Sequence, residues 1–173
     1  MGKIAIPDSI LLKRGSLTAT EWDTMKTHAR IGGDVIRRAI EKTLDVAILG
    51  SHDGKPESLA FLEVAAIIAE THHERWDGSG YPDGLAGADI PLPGRLMALA
   101  DAYDALGTPR VYKDPWPLDR AAGLILEEKG SHFDPDVVDA FAAARHEFEA
   151  VHHQLADADG GEEAAAQSEG EPR

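Results

Sequence analysis

The sequence predicts an all-α domain, and three observations indicate it. Apolar residues recur at helical spacing, and no stretch shows the alternation of apolar and polar residues that is typical of a half-buried strand. Residues that favour helix starts precede the apolar segments, and these are Thr18, Ser58, Pro93, Pro117 and Asp134. Apolar residues make up 43% of the 173 positions, which is enough for one hydrophobic core.

The first long helix begins after Thr18, which stands in capping-box spacing with Glu21. One face of this helix carries Trp22, Met25, His28 and Ile31. We expect the helix to continue past two glycines to about Ala39, and a short helix to follow from Thr43 to Gly50. Residues 51–57 contain Gly, Pro, Asp and Ser, which predict a loop.

The next helix, Leu59–Thr71, is predicted to be central, because apolar residues surround it on nearly every side. Pro93 suits the first turn of a helix that runs from Gly94 to Leu106. The last two predicted helices run from Pro117 to near Gly130 and from Asp134-Pro135 to about Leu155. From Asp157 onward the chain has no aromatic or β-branched residue. We therefore expect a domain over residues 1–156 and a disordered acidic tail over 157–173.

The composition restricts the possible partners and ligands. A net charge of −14 disfavours nonspecific nucleic-acid binding, which depends on Lys and Arg. The chain has no cysteine, so any metal must be held by His, Asp or Glu. No apolar run approaches the roughly 20 residues that a bilayer span requires. We expect no membrane contact and a cytoplasmic location.

The string from His72 to Pro82 is the strongest candidate site. It combines two adjacent histidines, acidic residues and a Gly-Ser-Gly-Tyr-Pro turn. Neutral imidazole is a common metal ligand. Because neighbouring helix residues point about 100° apart, two such histidines serve adjacent metal ions more easily than one. The alternative is a helix end with two surface histidines, but the whole string favours a metal site.

Further candidates are carboxylates and cations. Asp101 and Asp104 share a helix face among small apolar residues, which predicts that they point into the interior and need a metal or a cation. The alternative is a solvated pair. Arg110 and Lys113 follow this helix and could bind phosphate, as could Lys3 and Arg95, against the alternative of ordinary surface charge. His28 alone is a weak candidate, and His52-Asp53 is assigned to a loop.

Together these residues resemble the HD-GYP family of metal-dependent phosphohydrolases. The resemblance covers about residues 2–145, and its strings are Gly2–Lys13, Met25–His28, His72–Glu74 with Asp77–Pro82, Asp101–Leu106, Arg110–Lys113 and His132–Val138. It implies a helical bundle that hydrolyses the bacterial second messenger cyclic di-GMP. It also implies two or three divalent metal ions, with iron expected first and manganese or zinc as options.

The resemblance also implies roles for individual residues. The implied metal ligands are His28, His72, His73 and Asp101. Lys3 and Asp101 are the implied catalytic residues, and Lys3, Asp104, Arg110 and Lys113 are implied to bind the dinucleotide. The loop Gly80, Tyr81, Pro82 is linked to diguanylate-cyclase partners of the GGDEF type, and a homodimer is a further option.

The chain departs from the family pattern at its first residue. The family's His-Asp pair stands one residue before Gly-Lys, and Met1 occupies the intervening position. We therefore expect a bundle without its N-terminal helices, an exposed apolar patch where they would pack, and impaired hydrolysis. Met1 could be an internal methionine, or the chain a genuine fragment or a decayed copy. The alternative function is an inactive remnant that binds cyclic di-GMP or a protein partner.

Overall fold

The computed structural model describes residues 2–49, 57–108, 114–152 and 154. Apart from one isolated bridge between Lys129 and Phe133, the regular structure in these ranges is helical, so the all-α prediction is confirmed. The elements are a 3₁₀ turn at Gly2–Ala5, α1 (Asp8–Leu11), α2 (Ala19–Leu49), α3 (Glu57–Thr71), a 3₁₀ turn at Gly87–Asp89, α4 (Leu92–Gly107), α5 (Leu118–Glu127) and α6 (Pro135–Ala143).

Helix α2 is longer than predicted. Its capping box is confirmed, because the Thr18 N–H donates to Glu21 Oε2 over 2.7 Å and the Glu21 N–H donates to Thr18 Oγ1 over 3.3 Å. The predicted break after Ala39 is wrong, and the helix continues to Leu49. No glycine or proline interrupts this stretch, and its apolar residues keep helical spacing against α3.

Helices α2 and α3 form one hydrophobic cluster from Ile36, Ile40, Leu59 and Ala66. The prediction that α3 is buried on nearly every side is wrong for one face, where Phe61 is 74% exposed. We call this face, with its continuation on α4, the apolar face, and its exposed members are Phe61, Val64, Leu92, Leu96 and Met97. Exposed apolar side chains are therefore present on this face, and whether further helices would pack there stays a prediction.

A second cluster joins α4, α5 and α6 around Leu99, Tyr103, Ile125, Val138 and Phe141. The prediction for the start of α6 is confirmed, because the Asp134 carboxylate accepts the Asp136 N–H over 2.8 Å. The helix does not run unbroken to Leu155 as predicted. It ends at Ala143, and the chain is helical again over 145–152. The second segment brings Phe148 onto this cluster.

Some predictions lie outside the described residues. These are His52-Asp53, most of the loop 51–57, the domain boundary at 156 and the tail 157–173. Among the helices that the structure describes, none is both long enough and apolar enough to cross a bilayer. The first 3₁₀ turn packs on α2, α2 packs on α3, and α3 packs on α4. Gly32 of α2 lies against both Gly2 and Ala69, so the first turn lies near the end of α3.

Candidate metal centre

Three histidines converge where α2 meets the end of α3. His28 lies on α2 and is 4% exposed, while the half-buried His72 and His73 directly follow α3. One ring nitrogen from each histidine lies within 4.8 Å of those of the other two. The Nε2 atoms of His28 and His73 lie 3.1 Å apart. The structure thus brings together three of the four predicted metal ligands.

Backbone carbonyls fix the protonation of two of these rings. The Nδ1–H of His28 donates to the Met25 carbonyl over 2.8 Å, and the Nδ1–H of His72 donates to the Ile68 carbonyl over 2.9 Å. A carbonyl only accepts hydrogen bonds, so the proton lies on Nδ1 and each Nε2 has a free lone pair. Such bonds orient the histidine ligands of metal sites.

Burial keeps the three rings neutral. Desolvation lowers the pKa of His28 and His72, and desolvation with the charges of the neighbouring histidines lowers the pKa of His73 to about 3. Neutral imidazole is the form that binds metal. The Nε2 lone pairs of His28 and His72 are free, and His73 can offer its own in the tautomer that carries the proton on Nδ1. Three neutral ring nitrogens within 4.8 Å of one another therefore fit a divalent metal ion.

Asp101 lies near this group without joining it. Its negative charge opposes the lowering of the pKa of His72 and contributes to the raised pKa of Tyr81. The prediction that Asp101 and Asp104 point into the interior is wrong, because both are exposed. The buried face of α4 carries Leu99 and Tyr103, which pack on α5 and α6 and leave the aspartates outside. Asp104 accepts a hydrogen bond from Thr108 Oγ1 over 3.1 Å.

Lys3 lies beside the histidines. It is exposed on the first 3₁₀ turn, and its positive charge contributes to the lowered pKa values of His28, His72 and His73. The preceding residue must be glycine, because a side chain at Gly2 would overlap the carbonyl of His28.

Arg95, another predicted cation, does not join the group. Arg95 pairs instead with the buried Asp134 over 2.6 Å. Arg110 and Lys113 lie outside the described residues.

The Gly80-Tyr81-Pro82 loop covers one side of the histidine group. The rings of Tyr81 and His73 are stacked, with centroids 4.7 Å apart and planes at 29°. The Tyr81 N–H donates to the His73 carbonyl over 3.1 Å. Burial raises the pKa of Tyr81 to about 12, so the phenol stays protonated at neutral pH.

No role for Glu74 was predicted from the sequence, although this residue stands inside the strongest motif. Its side chain is 1% exposed, and its carboxylate accepts the N–H groups of Asp83 over 2.8 Å and Leu85 over 3.1 Å. A glutamate a few residues before a glycine-rich turn can accept hydrogen bonds from N–H groups of the following loop, and this pattern could have indicated the role.

Known proteins resemble this chain over most of its length. The family model of the HD domain matches residues 1–137. A cyclic di-GMP phosphodiesterase of Vibrio cholerae is 49% identical over 158 residues, which are 91% of this chain and 30% of that protein. The cyclic di-GMP phosphodiesterase response regulator RpfG of Xanthomonas campestris is 44% identical over 91% of this chain and 37% of that protein.

A third relative, the 3'3'-cGAMP-specific phosphodiesterase 2 of Vibrio cholerae, is 41% identical over 91% of this chain and 27% of that protein. The chain thus spans about a third of the length of the curated relatives it matches. These matches confirm the resemblance drawn from the motifs, and the chain belongs to the HD domain family.

Proposed function

We propose that this chain is a metal-dependent phosphodiesterase domain that hydrolyses cyclic di-GMP. The observation that carries the proposal is the convergence of three neutral imidazoles beside Lys3. Relatives named as cyclic di-GMP phosphodiesterases support the choice of substrate.

The proposed metal ligands are His28, His72, His73 and Asp101. Nitrogen and carboxylate donors without sulfur suit iron, manganese or zinc, and we propose two or three ions with iron first. Bound divalent ions would supply Lewis acidity, which lowers the pKa of water and offsets negative charge on a phosphoryl oxygen.

The chain's own groups have distinct proposed parts in the reaction. Lys3 places a positive charge beside the histidines, where it would offset charge that develops on the phosphate. Asp101 is exposed and close enough to influence the pKa of His72, so it is proposed to complete the metal site beside this histidine. Tyr81 excludes water from one face of His73. Asp104, Arg110 and Lys113 are proposed to contact the dinucleotide.

The experiment measures metal content, binding and hydrolysis separately. The purified chain is loaded with iron, manganese or zinc and mixed with cyclic di-GMP or with 3'3'-cGAMP, and His72→Ala serves as the ligand-deficient control. We expect metal and cyclic di-GMP binding that His72→Ala loses. Binding without hydrolysis would favour the inactive binding module. A parent chain that binds no divalent metal would overturn the proposal.

A second arm tests the effect of the family's His-Asp pair. The 173 residues contain no His-Asp pair directly before Met1-Gly2-Lys3, and we expect this chain to hydrolyse slowly or not at all by itself. Placing His-Asp directly before Met1 recreates the family spacing to Gly2-Lys3. We expect this extension to increase the metal equivalents bound per chain, and an Ala-Ala extension of the same length is the matched control.

Three further proposals concern partners and location. We propose that the Gly80-Tyr81-Pro82 loop contacts diguanylate cyclases of the GGDEF type. Its support is that Pro82 lines a groove of about 330 Å³ on the surface beside α2.

A second proposal is that two copies of the chain form a homodimer, and sedimentation of the purified chain would test it. A cytoplasmic location is supported by the lack of cysteine and by the proposed substrate.

A further inference from the structure

His73 differs from the other two histidines in how its ring is held. His28 and His72 each donate their Nδ1–H to a backbone carbonyl of their own helix. Among the residues that the structure describes, no hydrogen bond from Nδ1 of His73 is found. Its ring contacts His28, His72 and Tyr81 instead. Because metal-binding histidines are normally oriented through their second nitrogen, His73 needs another means of orientation.

Tyr81 supplies a contact that can fix the ring of His73. The two rings are stacked at 4.7 Å, and the Tyr81 backbone is bonded to the His73 carbonyl. The ring of Trp22 meets Tyr81 edge to face, with centroids 6.0 Å apart and planes at 80°. Tyr81 is thus held by its own backbone and by a second aromatic side chain, so its ring has a defined place from which to orient the imidazole.

Glu74 holds the loop that carries Tyr81. Its buried carboxylate bonds two N–H groups on the far side of the loop, at Asp83 and Leu85. Such bonds compensate the cost of burying a carboxylate. At the near side, a Cβ on Gly80 would lie only 2.5 Å from the Cα of Glu74, so the loop rests directly on the Glu74 backbone. The loop is therefore fixed to the chain that follows the two histidines.

We propose that Glu74 and Tyr81 are positioning residues for His73. Glu74 anchors the loop, and the stacked ring of Tyr81 fixes the imidazole orientation that backbone carbonyls fix in His28 and His72. The proposal rests on the proposed function only in taking His73 as a metal ligand. It assigns Tyr81 a role inside the domain, separate from any contact that the loop makes with a partner protein.

Metal affinity tests the proposal through paired variants. Tyr81→Phe keeps the stacked ring and Tyr81→Ala removes it. In a competition of Zn²⁺ with a chelator, we expect Tyr81→Phe to match the parent and Tyr81→Ala to bind Zn²⁺ about 10- to 100-fold more weakly.

The variant Glu74→Gln tests the anchor of the loop. It turns one accepting oxygen into a donor that faces an N–H, and we expect a similar loss of Zn²⁺ affinity. The control is Glu70→Gln. It changes another glutamate of the same region, which lies on α3 and pairs with Arg37 of α2, and it is expected to leave the Zn²⁺ affinity unchanged. Equal affinity in Tyr81→Ala and the parent would overturn the proposal.

A second readout needs no metal. In the metal-free chain, the ring current of Tyr81 acts on the ring protons of His73, so their NMR resonances should shift in Tyr81→Ala and in Glu74→Gln. The exposed His146 is the internal control. Unchanged His73 resonances in Tyr81→Ala would overturn the proposal, even if Glu74→Gln fails to fold. A parent chain that binds no metal would overturn the proposed function instead, and the resonances would still decide the role of Tyr81.

Discussion

The Nε2 atoms of His28 and His73 lie 3.1 Å apart, although 45 residues separate the two histidines in the chain. The proton of His28 lies on Nδ1, where the Met25 carbonyl accepts it, so its Nε2 presents a lone pair to His73. Burial disfavours protonation of either ring, as their lowered pKa values indicate. Neutral His73 can donate an Nε2–H to that lone pair, and a divalent cation can take the place of this proton between the two nitrogens.

Divalent metal should stabilise the parent chain and fail to stabilise His28→Gln. A ligand at 100 times its dissociation constant adds about 2.7 kcal/mol to the free energy of unfolding. For a chain of this length that corresponds to roughly 5–11 °C in the unfolding midpoint. Thermal unfolding with added Zn²⁺ and with EDTA measures the difference. The exposed-site variant His146→Gln should keep the full shift. An equal shift in His28→Gln would show that the metal binds elsewhere.

Removal of Arg95 should destabilise the chain through Asp134. The Asp134 side chain is 2% exposed, and Arg95 is its ion-pair partner. Breaking a buried pair from one side costs roughly 3–5 kcal/mol, because the other charge stays buried alone. Urea unfolding of Arg95→Leu measures this loss.

The double variant Arg95→Leu/Asp134→Asn should recover part of that loss, since no charge is buried and asparagine still caps α6. The control Lys129→Met removes an exposed pair with Asp139 and should cost at most about 1 kcal/mol. Equal losses in Arg95→Leu and Lys129→Met would contradict the buried role of Arg95.

The sequence predicted the helices well where local chemistry decides them. The capping box of Thr18 and Glu21 and the cap of Asp134 depend on residues two or three positions apart, so the printed order of residues is enough to find them. The missed continuation of α2 past Ala39 has a different cause. The lack of glycine and proline and the helical spacing of the apolar residues are consistent with one helix, but the packing of Ile40 against α3, which decides it, is tertiary.

The site was predictable in its ligands and less so in its surroundings. The motif of adjacent histidines indicated His72 and His73, the family resemblance indicated His28, and the structure brings the three together. The exposure of Asp101 depends on which face of α4 the helices α5 and α6 cover, and helical periodicity alone cannot choose that face. The role of Glu74 depends on where the N–H groups of a loop point after the chain has folded back.

Acid should weaken the start of α2 through Glu21. Two hydrogen bonds, first from the Lys13 side chain and second from the Thr18 N–H, lower the pKa of this carboxyl from 4.5 to about 2. A carboxyl with a lowered pKa in the folded state contributes stability that is present above about pH 4.5 and is lost as the pH falls toward 2. Glu21→Gln should therefore be less stable than the parent at pH 7, and the difference should shrink between pH 4.5 and 2. Urea unfolding across this range tests it. Glu127→Gln, which changes an exposed glutamate at the end of α5, is the matched control.

The apolar face should tolerate a change that the core does not. Leu59 is 1% exposed and Phe61 is 74% exposed, although both lie on α3. Leu59→Ala should lower the free energy of unfolding by roughly 2–5 kcal/mol, because it leaves a cavity. Phe61→Ser should change it by about 0.5 kcal/mol or less. Urea unfolding measures both, and a large loss in Phe61→Ser would show that this face is covered in solution.

Loss of the Lys3 charge should weaken the binding of cyclic di-GMP. Lys3 lies close enough to the three histidines to lower their pKa values, so a phosphate held there would feel the same charge. In calorimetry of the metal-loaded chain, we expect Lys3→Gln to bind about tenfold more weakly, which is about 1.4 kcal/mol. Lys42→Gln is the matched control, because Lys42 lies fourteen residues beyond His28 on α2, about 21 Å along the helix. Added salt should reduce the difference between Lys3→Gln and the parent, since screening weakens exposed charges. Equal affinities at low salt would remove Lys3 from the substrate site.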